Sequence, residues 1–561
     1  MKRLSALFVI LVMTTTSGWS QNNIYVSVFG ENTNDGLTQV SPVRDVQHAI
    51  NISQEGDTIN IYGGEYYEYL NITHNNLTIK QASIFDEVVI KPSMGNIVEN
   101  ALLLIDSKSN ILIDGITFAE HMVNYAQGIY VRGGGSNIDI INCRVHDIHF
   151  SDDPNAAVNE NTNAQAIIVE GTEELSNVNI MGCEVFDCRL GYSEGIAING
   201  NVTYFNVSDN YVHDLTNIGI VAIGHEGVCK TAAVDQARFG LMAGNTVMNC
   251  ISPYATCGGV YVDGGAYISI ERNHLAHNGY GVEVGCEHVG KVAEYIVVKN
   301  NLLIDNEVAG AAIGGYDFPN GSGMVQYIEV RHNTFYKNNF LADYTGEFLF
   351  TYIQNFSCAN NIFYLNDQGV LGYAENQGTN IGFNHNVIYQ EQGIVELDWF
   401  GNFTETFNEL MGVLALNAGG QYGDPLFADA EGGDFHIMAG SEAIGMAYQP
   451  TDLQDGETDF YGEARITGLL DCGADEFGVD LVAIVELEPN KHSVYPNPFM
   501  DELNIISEET ITSYAIYDAA GRVVAMQQGL ETNSLRVDTT RLKAGVYTLV
   551  VNGKGSLVVR G

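Results

Sequence analysis

From about residue 111 the chain alternates apolar and polar positions in short runs, and these runs recur as one repeated phrase. Each phrase is a strand-like run, then an asparagine-rich corner, then a second apolar pair. The phrases align as IDIINCRVHD (138–147), VNIMGCEVFD (178–187), FNVSDNYVHD (205–214), ISIERNHLAH (268–277), IVVKNNLLID (296–305), IEVRHNTFYK (328–337) and IGFNHNVIYQ (381–390). Alternation with period two predicts strands, and repeats of roughly 22–40 residues are typical of stacked coils.

One column of this alignment lies at the corner and is mostly asparagine. It holds Cys143, Cys183, Asn210, Asn273, Asn301, Asn333 and Asn386, and Asn245 and Asn361 fit it from the intervening coils. Asparagine tolerates left-handed backbone angles, and its amide can bond to the coils above and below. We therefore predict an asparagine ladder in an all-β, right-handed parallel β-helix, with the two cysteines as small buried apolar residues. Helical periodicity between the phrases is too weak for βαβ crossovers, and a propeller needs more turns per repeat.

The ends of this repeat region resemble known sequences. The stretch IYVSVFGENTNDGLTQVSPVRDVQHAINISQEGDTINIYGGEYYEYLNI (24–72) resembles the opening of pectin-lyase-like β-helix proteins, which implies a capping helix over 46–52 and a first strand over 58–61. The pieces GDPLFADAEGGDFHIMAGSEAIGMA (423–447) and DFYGEARITGLLDCGADEF (459–477) look like the segment that follows the last coil in many secreted bacterial β-helix proteins. We expect a β-helix over 21–478, with a capping segment at 21–70 and a closing segment at 423–478 over its C-terminal end.

Both termini predict export. Residues 1–20 join Lys2 and Arg3 to an apolar run, as in a signal peptide, and the run is far shorter than the roughly twenty residues that span a bilayer. After a linker at 479–490, SVYPNPFMDELNI (493–505), YAIYDAAGRVV (514–524) and LKAGVYTLVV (542–551) resemble the C-terminal sorting domain of the Bacteroidetes type IX secretion system. The resemblance implies a small antiparallel β-sandwich over 491–561 that serves as an export address. We expect a secreted or cell-surface protein with the type IX machinery as a partner.

Charge and cysteine content narrow the function classes. The net charge is −45, whereas residues 491–561 carry equal numbers of acidic and basic residues, so the excess lies in the β-helix region. A strongly acidic surface excludes nucleic acid and anionic lipid as partners. Nine cysteines in an exported chain leave at least one thiol unpaired. A disulfide bond between Cys250 and Cys257, or between Cys229 and Cys286, stays open. We expect the protein to be a monomer without a membrane span.

A second column carries the candidate chemistry. Glycine or alanine followed by alternating apolar residues recurs in QGIYVRG (127–133), QAIIVEG (165–171), EGIAING (194–200), IGIVAIG (218–224), GGVYVDG (258–264), YGVEVGC (280–286) and AGAAIGG (309–315). Alternate side chains of a strand point to opposite faces. One outer face is therefore predicted to carry Tyr130, Arg132, Ile168, Glu170, Ala197, Asn199, Val221, Ile223, Tyr261, Asp263 and Glu283. Acidic, amide and aromatic groups together suit a sugar.

Acidic and histidine residues follow these strands at glycine-rich turns. GHEG (224–227), VDGG (262–265), GCEH (285–288) and GGYD (314–317) would bring together His225, Glu226, Asp263, Glu287, His288 and Asp317. Strand geometry separates Asp263 from Glu283 by about 8 Å, within the roughly 6.5–9.5 Å of an inverting glycosidase pair. We predict these two as acid and base, with Glu287 and Glu226 as alternative partners. The predicted substrate contacts are His225, His288, Tyr261, Asn199, Glu170, Asp317 and Arg132.

Two other functions stay open. A polysaccharide lyase must neutralise a uronate, often with Ca²⁺, and remove a proton with a basic residue or tyrosine. Basic residues are scarce on this face, and we interpret Glu271, Lys299 and Arg331 on the next strand as an exposed charge ladder. A non-catalytic glycan binder or adhesin is the third function. No metal ligand set or nucleotide cofactor is assigned, and Ca²⁺ is left open as a cofactor.

Overall fold

A computed structural model of the chain describes residues 21–93, 100–315, 317–341, 344–449, 457–465 and 470–478, and in the tail 492–495, 502–517, 523–540, 542, 545–551 and 554–560. The predicted signal peptide and linker lie outside the described residues. The chain divides into two compact units, one ending at Phe477 and the other beginning at Gly478. The first is a right-handed parallel β-helix, as predicted.

Each coil of the β-helix contributes strands to three faces, and strands pair in parallel with those of the coils before and after. The first face contains Leu70–Asn71, Ala101–Asp106, Ala126–Arg132, the first part of Ala164–Met181, Ile196–Thr203, Ile220–Ile223, Gly258–Asp263, Tyr280–Gly285, Ala309–Gly314, Phe348–Thr351, Val370–Glu375 and Glu396–Trp399, with Asn402–Thr404 antiparallel at its end. The second contains Asn23–Val26, Thr58–Ile61, Leu77–Gln81, Ile111–Asp114, Gly135–Ile141, the end of Ala164–Met181, Asn206–Ser208, Arg238–Ala243, Ala266–Glu271, Val292–Lys299, Met324–Arg331, Ile353–Ala359 and Ile381–Asn384. These two faces form one sheet of 25 strands.

The third face is a separate sheet of 13 strands. It contains Gly64–Tyr67, Val88–Lys91, Thr117–Met122, Arg144–His149, Glu184–Arg189, Tyr211–Thr216, Thr246–Cys250, His274–Ala276, Leu302–Ile304, Thr334–Tyr336, Ile362–Tyr364, Val387–Tyr389 and Gln421–Tyr422. Alternate side chains of all three faces point inward and form one continuous apolar core from Ile24 to Leu410. The short alternating runs of the sequence fold this way because one side of each strand is buried along the whole solenoid.

The predicted asparagine ladder runs through this core. Side-chain amides donate to the next amide oxygen at 2.9–3.0 Å from Asn210 through Asn245, Asn273, Asn301, Asn333 and Asn361 to Asn386. The left-handed backbone, however, falls on the residue before each ladder asparagine, such as Arg272 and His332, both with φ of 52°. The preceding residue makes the bend, so that the asparagine turns inward and bonds to main-chain groups of neighbouring coils.

A second buried ladder was not predicted. Asn278, Asn306 and Asn338 bond in series, and Asn338 Nδ2 donates to Glu347 Oε2 at 2.6 Å. Glu347 is fully buried, its Oε1 has no hydrogen-bond partner, and burial raises the pKa of this carboxyl to about 8. Its ordinary pKa is 4.5, so the folded protein loses stability as pH rises from that value through about 8.

Glu347→Gln is therefore expected to stabilise the protein at pH 8 by about 3 kcal/mol and to have little effect near pH 5, because glutamine keeps the acceptor for Asn338 and removes the buried charge. Denaturant unfolding at both pH values measures this difference. Glu375→Gln, at an exposed glutamate of the first face, is the control and should change neither value. Equal effects of Glu347→Gln at both pH values would contradict the role of charge.

The N-terminal cap follows the sequence prediction. The helix spans Val46–Ile52 and buries Val46, Ala49 and Ile50 against the core. The main-chain N–H groups of Val46 and Gln47 donate to the Glu68 carboxylate at 2.8 and 2.9 Å, which satisfies the helix start. The strand Thr58–Ile61 has the predicted bounds, although Asn23–Val26 precedes it in the sheet.

The prediction that the closing segment lies over the C-terminal end of the β-helix is wrong. There, Leu410 of the helix Phe407–Gly412 is buried in the main core. The closing segment has the paired strands Phe427–Asp429 and Asp434–Ile437 with the 3₁₀ turn Ala430–Gly432 between them, and it packs along the third face. Phe435 contacts a cluster of apolar side chains of that face, namely Ala276, Leu302, Ile304 and Tyr336. These outward apolar residues need a cover, which is why the segment runs back along the coils.

The ladder Glu271, Lys299 and Arg331 is not exposed, contrary to the sequence interpretation. Glu271 is 9% and Arg331 2% exposed, and Glu457 pairs with Arg331 at 2.8 Å and with Lys299 at 3.3 Å. The closing segment supplies this partner from far along the sequence. All nine cysteines are buried and free, so neither candidate disulfide forms.

The C-terminal unit is built from His492–Tyr495, Glu502–Tyr517, Val523–Asp538, Gly545–Val551 and Lys554–Arg560. These five strands form one antiparallel sheet. Its core includes Leu503, Ile505, Ile516, Tyr547 and Leu549.

Candidate active site

The first face presents the predicted outer column in register. Tyr130 lies opposite Ile168, Ile168 opposite Ala197, and Val221 opposite Tyr261 on successive coils. Tyr261 lies opposite Glu283, and Asp263 opposite Gly285. Asp263 and Glu283 therefore occupy neighbouring coils with an offset of two residues. This is the relation from which their separation of about 8 Å follows.

A cleft of about 670 Å³ opens over these strands. Its lining includes seven carboxyl side chains, namely Glu160, Glu170, Glu194, Glu226, Asp263, Glu283 and Glu287, together with Asn163, Gln165, Asn199, Tyr192, Tyr261 and Thr256. Lysine and arginine are absent from the lining in the part of the chain that the structure describes. The cleft is thus a concentrated acidic and amide surface with an apolar strip at Ile168, Val221 and Ile223.

Hydrogen bonds fix the central carboxyl groups. Asp263 Oδ1 accepts the main-chain N–H of Glu287 at 2.8 Å, and Glu283 Oε2 accepts the N–H of Gly258 at 3.0 Å. The Tyr261 hydroxyl donates to Glu287 Oε1 at 3.3 Å. Each of the two neighbouring coils thereby holds a carboxyl group of the other coil through a main-chain N–H group. Glu287 is exposed at the turn, whereas Asp263 is only 4% exposed.

The electrostatics of the cleft favour protonated carboxyl groups. Burial, strengthened by the nearby Glu287 carboxylate, raises the pKa of Asp263 to about 7 and that of Glu283 to about 8. Burial also raises the pKa of Tyr261, which keeps its hydroxyl protonated as a donor. At neutral pH the cleft therefore contains both acidic groups that can give a proton and carboxylates that can accept one.

Sequence reasoning missed Glu194. It lines the cleft, and burial together with Glu226, Glu287 and Asp263 raises its pKa to about 8. Glu194 lies three residues before Ala197 of the outer column, at the position that Gln127 and Gln165 occupy on the two preceding coils. The recurrence of polar residues in that column was the available signal. Gln165 Oε1 and Asn199 Oδ1 also line the cleft and are buried without a hydrogen-bond partner, so they can accept from ligand hydroxyls.

Other predicted contacts lie apart from this cluster. Glu170 accepts a hydrogen bond from the Tyr130 hydroxyl and lines the cleft edge. Arg132 pairs with Asp106 at 2.8 Å and lines a neighbouring cavity toward the N-terminus. Asp317 lines a cavity on the other side, which shares Glu283 with the cleft. His225 is outside the cleft lining, with Nε2 at 3.2 Å from the carbonyl oxygen of Val292.

Glu226 and Asp263 of the cleft lining form, together with the neighbouring His288, a group that could hold a metal ion. Donor atoms of Glu226, Asp263 and His288 lie within 4.8 Å of one another, and His288 Nε2 is 2.9 Å from Glu226 Oε1. Calcium prefers oxygen ligands throughout, whereas an imidazole with two carboxylates suits a transition metal. The donor set therefore does not fit Ca²⁺.

Comparison with known proteins identifies the tail. Residues 493–560 match the family of secretion system C-terminal sorting domains. The protein is exported by type IX secretion to the cell surface or outside the cell. None of the helices in the described part of the chain combines the length and the apolar character that are needed to cross a membrane.

The chain also has relatives outside the sorting-domain family. It is 31% identical over 454 residues to the uncharacterized protein YwoF of Bacillus subtilis (strain 168), covering 76% of this chain and 92% of that protein. Among solved structures it is similar to the pectate lyase Pel9A, at 15% identity over 82% of this chain and 98% of that one, with a TM-score of 0.45. It is also similar to the A-module of the Azotobacter vinelandii mannuronan C-5 epimerase AlgE6, at 14% identity over 68% and 93%, with a TM-score of 0.42.

Proposed function

This chain belongs to the same family as the Bacillus subtilis protein YwoF, and we propose that it is a secreted polysaccharide-degrading enzyme, a glycoside hydrolase that uses paired carboxyl groups. The observation that carries the proposal is the convergence of Asp263, Glu283 and Glu287 in one cleft with separate hydrogen-bond partners. Hydrolysis of a glycosidic bond needs one carboxyl group that donates a proton and a second that activates water or attacks the sugar.

The pKa values suggest how the roles divide. Glu283, with a pKa of about 8, retains its proton at neutral pH and would protonate the leaving oxygen. Asp263, which lies on the neighbouring coil and has a pKa of about 7, would activate the attacking water molecule. Glu287, held by Tyr261, and the exposed Glu226 are the alternative bases. The unpartnered oxygens of Gln165 and Asn199 would accept hydrogen bonds from sugar hydroxyls.

A lyase is less well supported by the cleft. Uronate recognition needs positive charge, and the described lining combines seven carboxyl groups with no lysine or arginine. The cluster of Glu226, Asp263 and His288 is a mixed donor set that does not suit the ion on which a calcium-dependent lyase relies. The acidic lining favours a neutral or amino-sugar polymer as the substrate.

Product analysis on a panel of neutral, amino-sugar and uronate polysaccharides tests the proposal. A hydrolase releases reducing ends without ultraviolet absorbance, whereas a lyase creates an unsaturated uronate that absorbs. A chelator should leave the hydrolase active. Unsaturated products would replace the proposal with a lyase, and binding to a glycan without any product would replace it with a non-catalytic binder.

The pH dependence of the reaction follows from the two raised pKa values. The rate should rise as Asp263 loses its proton near pH 7 and fall as Glu283 loses its proton near pH 8, because one must be ionised and the other protonated. The expected profile of kcat/KM is a narrow bell centred between these values. A profile that is highest near pH 5 would contradict this division of roles.

A further inference from the structure

A second group of carboxyl side chains lies in the closing segment, far from the cleft along the chain. Donor atoms of Asp459, Glu463 and Asp475 all lie within 4.8 Å of one another. Asp459 is fully buried, Asp475 is 2% exposed, and Glu463 is half-buried. Burying two carboxylates side by side is costly unless a positive charge compensates them.

Asp475 provides a separate observation that points to a ligand. Its Oδ2 accepts the main-chain N–H of Ile437 at 2.7 Å, whereas its buried Oδ1 has no hydrogen-bond partner. Asp459 is held in place, since its two oxygens accept the N–H groups of Glu463 and Glu476 at 2.8 and 2.9 Å. Each carboxylate oxygen that accepts one hydrogen bond still has a lone pair for a cation.

The neighbouring cationic side chains, Arg465 and His436, act on Asp459 and Asp475 only through longer-range electrostatic attraction, because their close ion pairs are with other residues. Arg465 pairs with Glu476 at 2.9 Å and donates to Asn300 and to the carbonyl oxygen of Gly473. His436 pairs with Asp434 at 2.5 Å and stacks on Tyr461. Among the described residues, neither Asp459 nor Asp475 forms a salt bridge.

We propose that Asp459, Glu463 and Asp475 bind a divalent cation, which holds separate parts of the closing segment together. The donor set consists of oxygen atoms alone, which favours Ca²⁺. Ca²⁺ holds oxygen ligands at about 2.3–2.6 Å, so two ligands on opposite sides of the ion lie at most about 5 Å apart. The donor atoms of Asp459, Glu463 and Asp475 lie within that limit, since all of them are within 4.8 Å of one another. All three donors are oxygen, in contrast to the imidazole-containing group at the cleft.

The bound ion would join three parts of the closing segment. Asp459 and Glu463 belong to one turn, Asp475 to a second turn, and Asp475 also holds the strand Asp434–Ile437 through Ile437. That strand carries Phe435, which covers the apolar cluster of the third face. The ion would therefore stabilise the cover of the β-helix outside the cell, whereas the reaction in the cleft does not involve it.

Calcium binding and thermal unfolding of the full chain test this proposal. After removal of metal with a chelator, addition of about 1 mM Ca²⁺ should raise the Tm by about 2–5 °C, and Mg²⁺ should do less. Asp475→Asn should abolish the calcium-dependent rise and lower the number of bound ions by one in equilibrium dialysis. Glu463→Gln, at the half-buried ligand, should weaken calcium binding and provides a second variant if Asp475→Asn does not fold.

Glu226→Gln is the matched control, because it removes a carboxylate from the other candidate cluster. Calcium should still raise the Tm of this variant by the wild-type amount. The proposal fails if wild-type protein binds no calcium, or if calcium stabilises Asp475→Asn as much as the wild type. Wild-type protein that binds no calcium, combined with a higher Tm of Asp475→Asn in the absence of metal, would instead show that Asp475 is buried as the protonated acid.

Discussion

Asp263→Asn and Glu283→Gln are each expected to lower kcat by at least about a hundredfold on the polysaccharide that the panel identifies, since a positioned acid or base contributes on that scale. Both replacements keep the size of the side chain and its acceptor oxygen. The N–H of Glu287 can still bond to residue 263, and the N–H of Gly258 to residue 283. The loss should therefore appear in kcat, with KM changed much less.

Glu294→Gln is the matched control for these two variants. Glu294 lies on the coil of Glu283, is half-buried and accepts a hydrogen bond from Gln326 at 2.8 Å, but it belongs to the second face. Its replacement should leave kcat unchanged. Wild-type rates in both cleft variants would exclude Asp263 and Glu283 as the acid and base. Glu287 and Glu226 would then be the next residues to replace.

The architecture could be predicted from the sequence because each coil is encoded by a short local pattern that repeats along the chain. Alternation marks the strands, and the corner asparagines mark the register from Asn210 to Asn386. The position of the closing segment was not predictable in this way. Its contacts, such as Arg465 with Asn300 and Glu457 with Arg331, join residues more than a hundred positions apart and depend on which outward apolar side chains need covering.

In the candidate site, the residues on strands were predictable from the sequence and the residues at turns were not. The outer column placed Asp263, Tyr261 and Glu283 correctly relative to one another because strand pairing fixes their register. Turn residues follow no such rule. His225 points its Nε2 at a main-chain oxygen, and Glu194 joins the cleft from a column that the alternation alone does not single out.

Replacement of a single ladder asparagine is expected to lower the stability of the β-helix strongly. Asn301 is fully buried, and its Oδ1 accepts from both the main-chain N–H and the side-chain amide of Asn273 at 2.9 Å. Its own amide donates to Ile270 and to Asn333, again at 2.9 Å. Asn301→Ala leaves several of these buried groups without partners, so the free energy of unfolding should fall by about 3–5 kcal/mol.

Two further variants separate the buried hydrogen bonds from general effects of the substitution. Asn137 belongs to an exposed stack, where it donates to Asn110 at 2.8 Å with φ of 58°, so Asn137→Gly removes an equivalent amide without backbone strain and should cost less than about 1 kcal/mol. Asn301→Cys copies Cys183, whose thiol occupies the same column and faces the carbonyl oxygen of Ile140 at 3.5 Å. Its stability in denaturant unfolding should lie between wild type and Asn301→Ala, because a thiol donates weakly to one carbonyl but cannot replace the acceptor for Asn273. If Asn301→Ala lowers the free energy of unfolding no more than Asn137→Gly does, the buried hydrogen bonds of the ladder do not stabilise the β-helix.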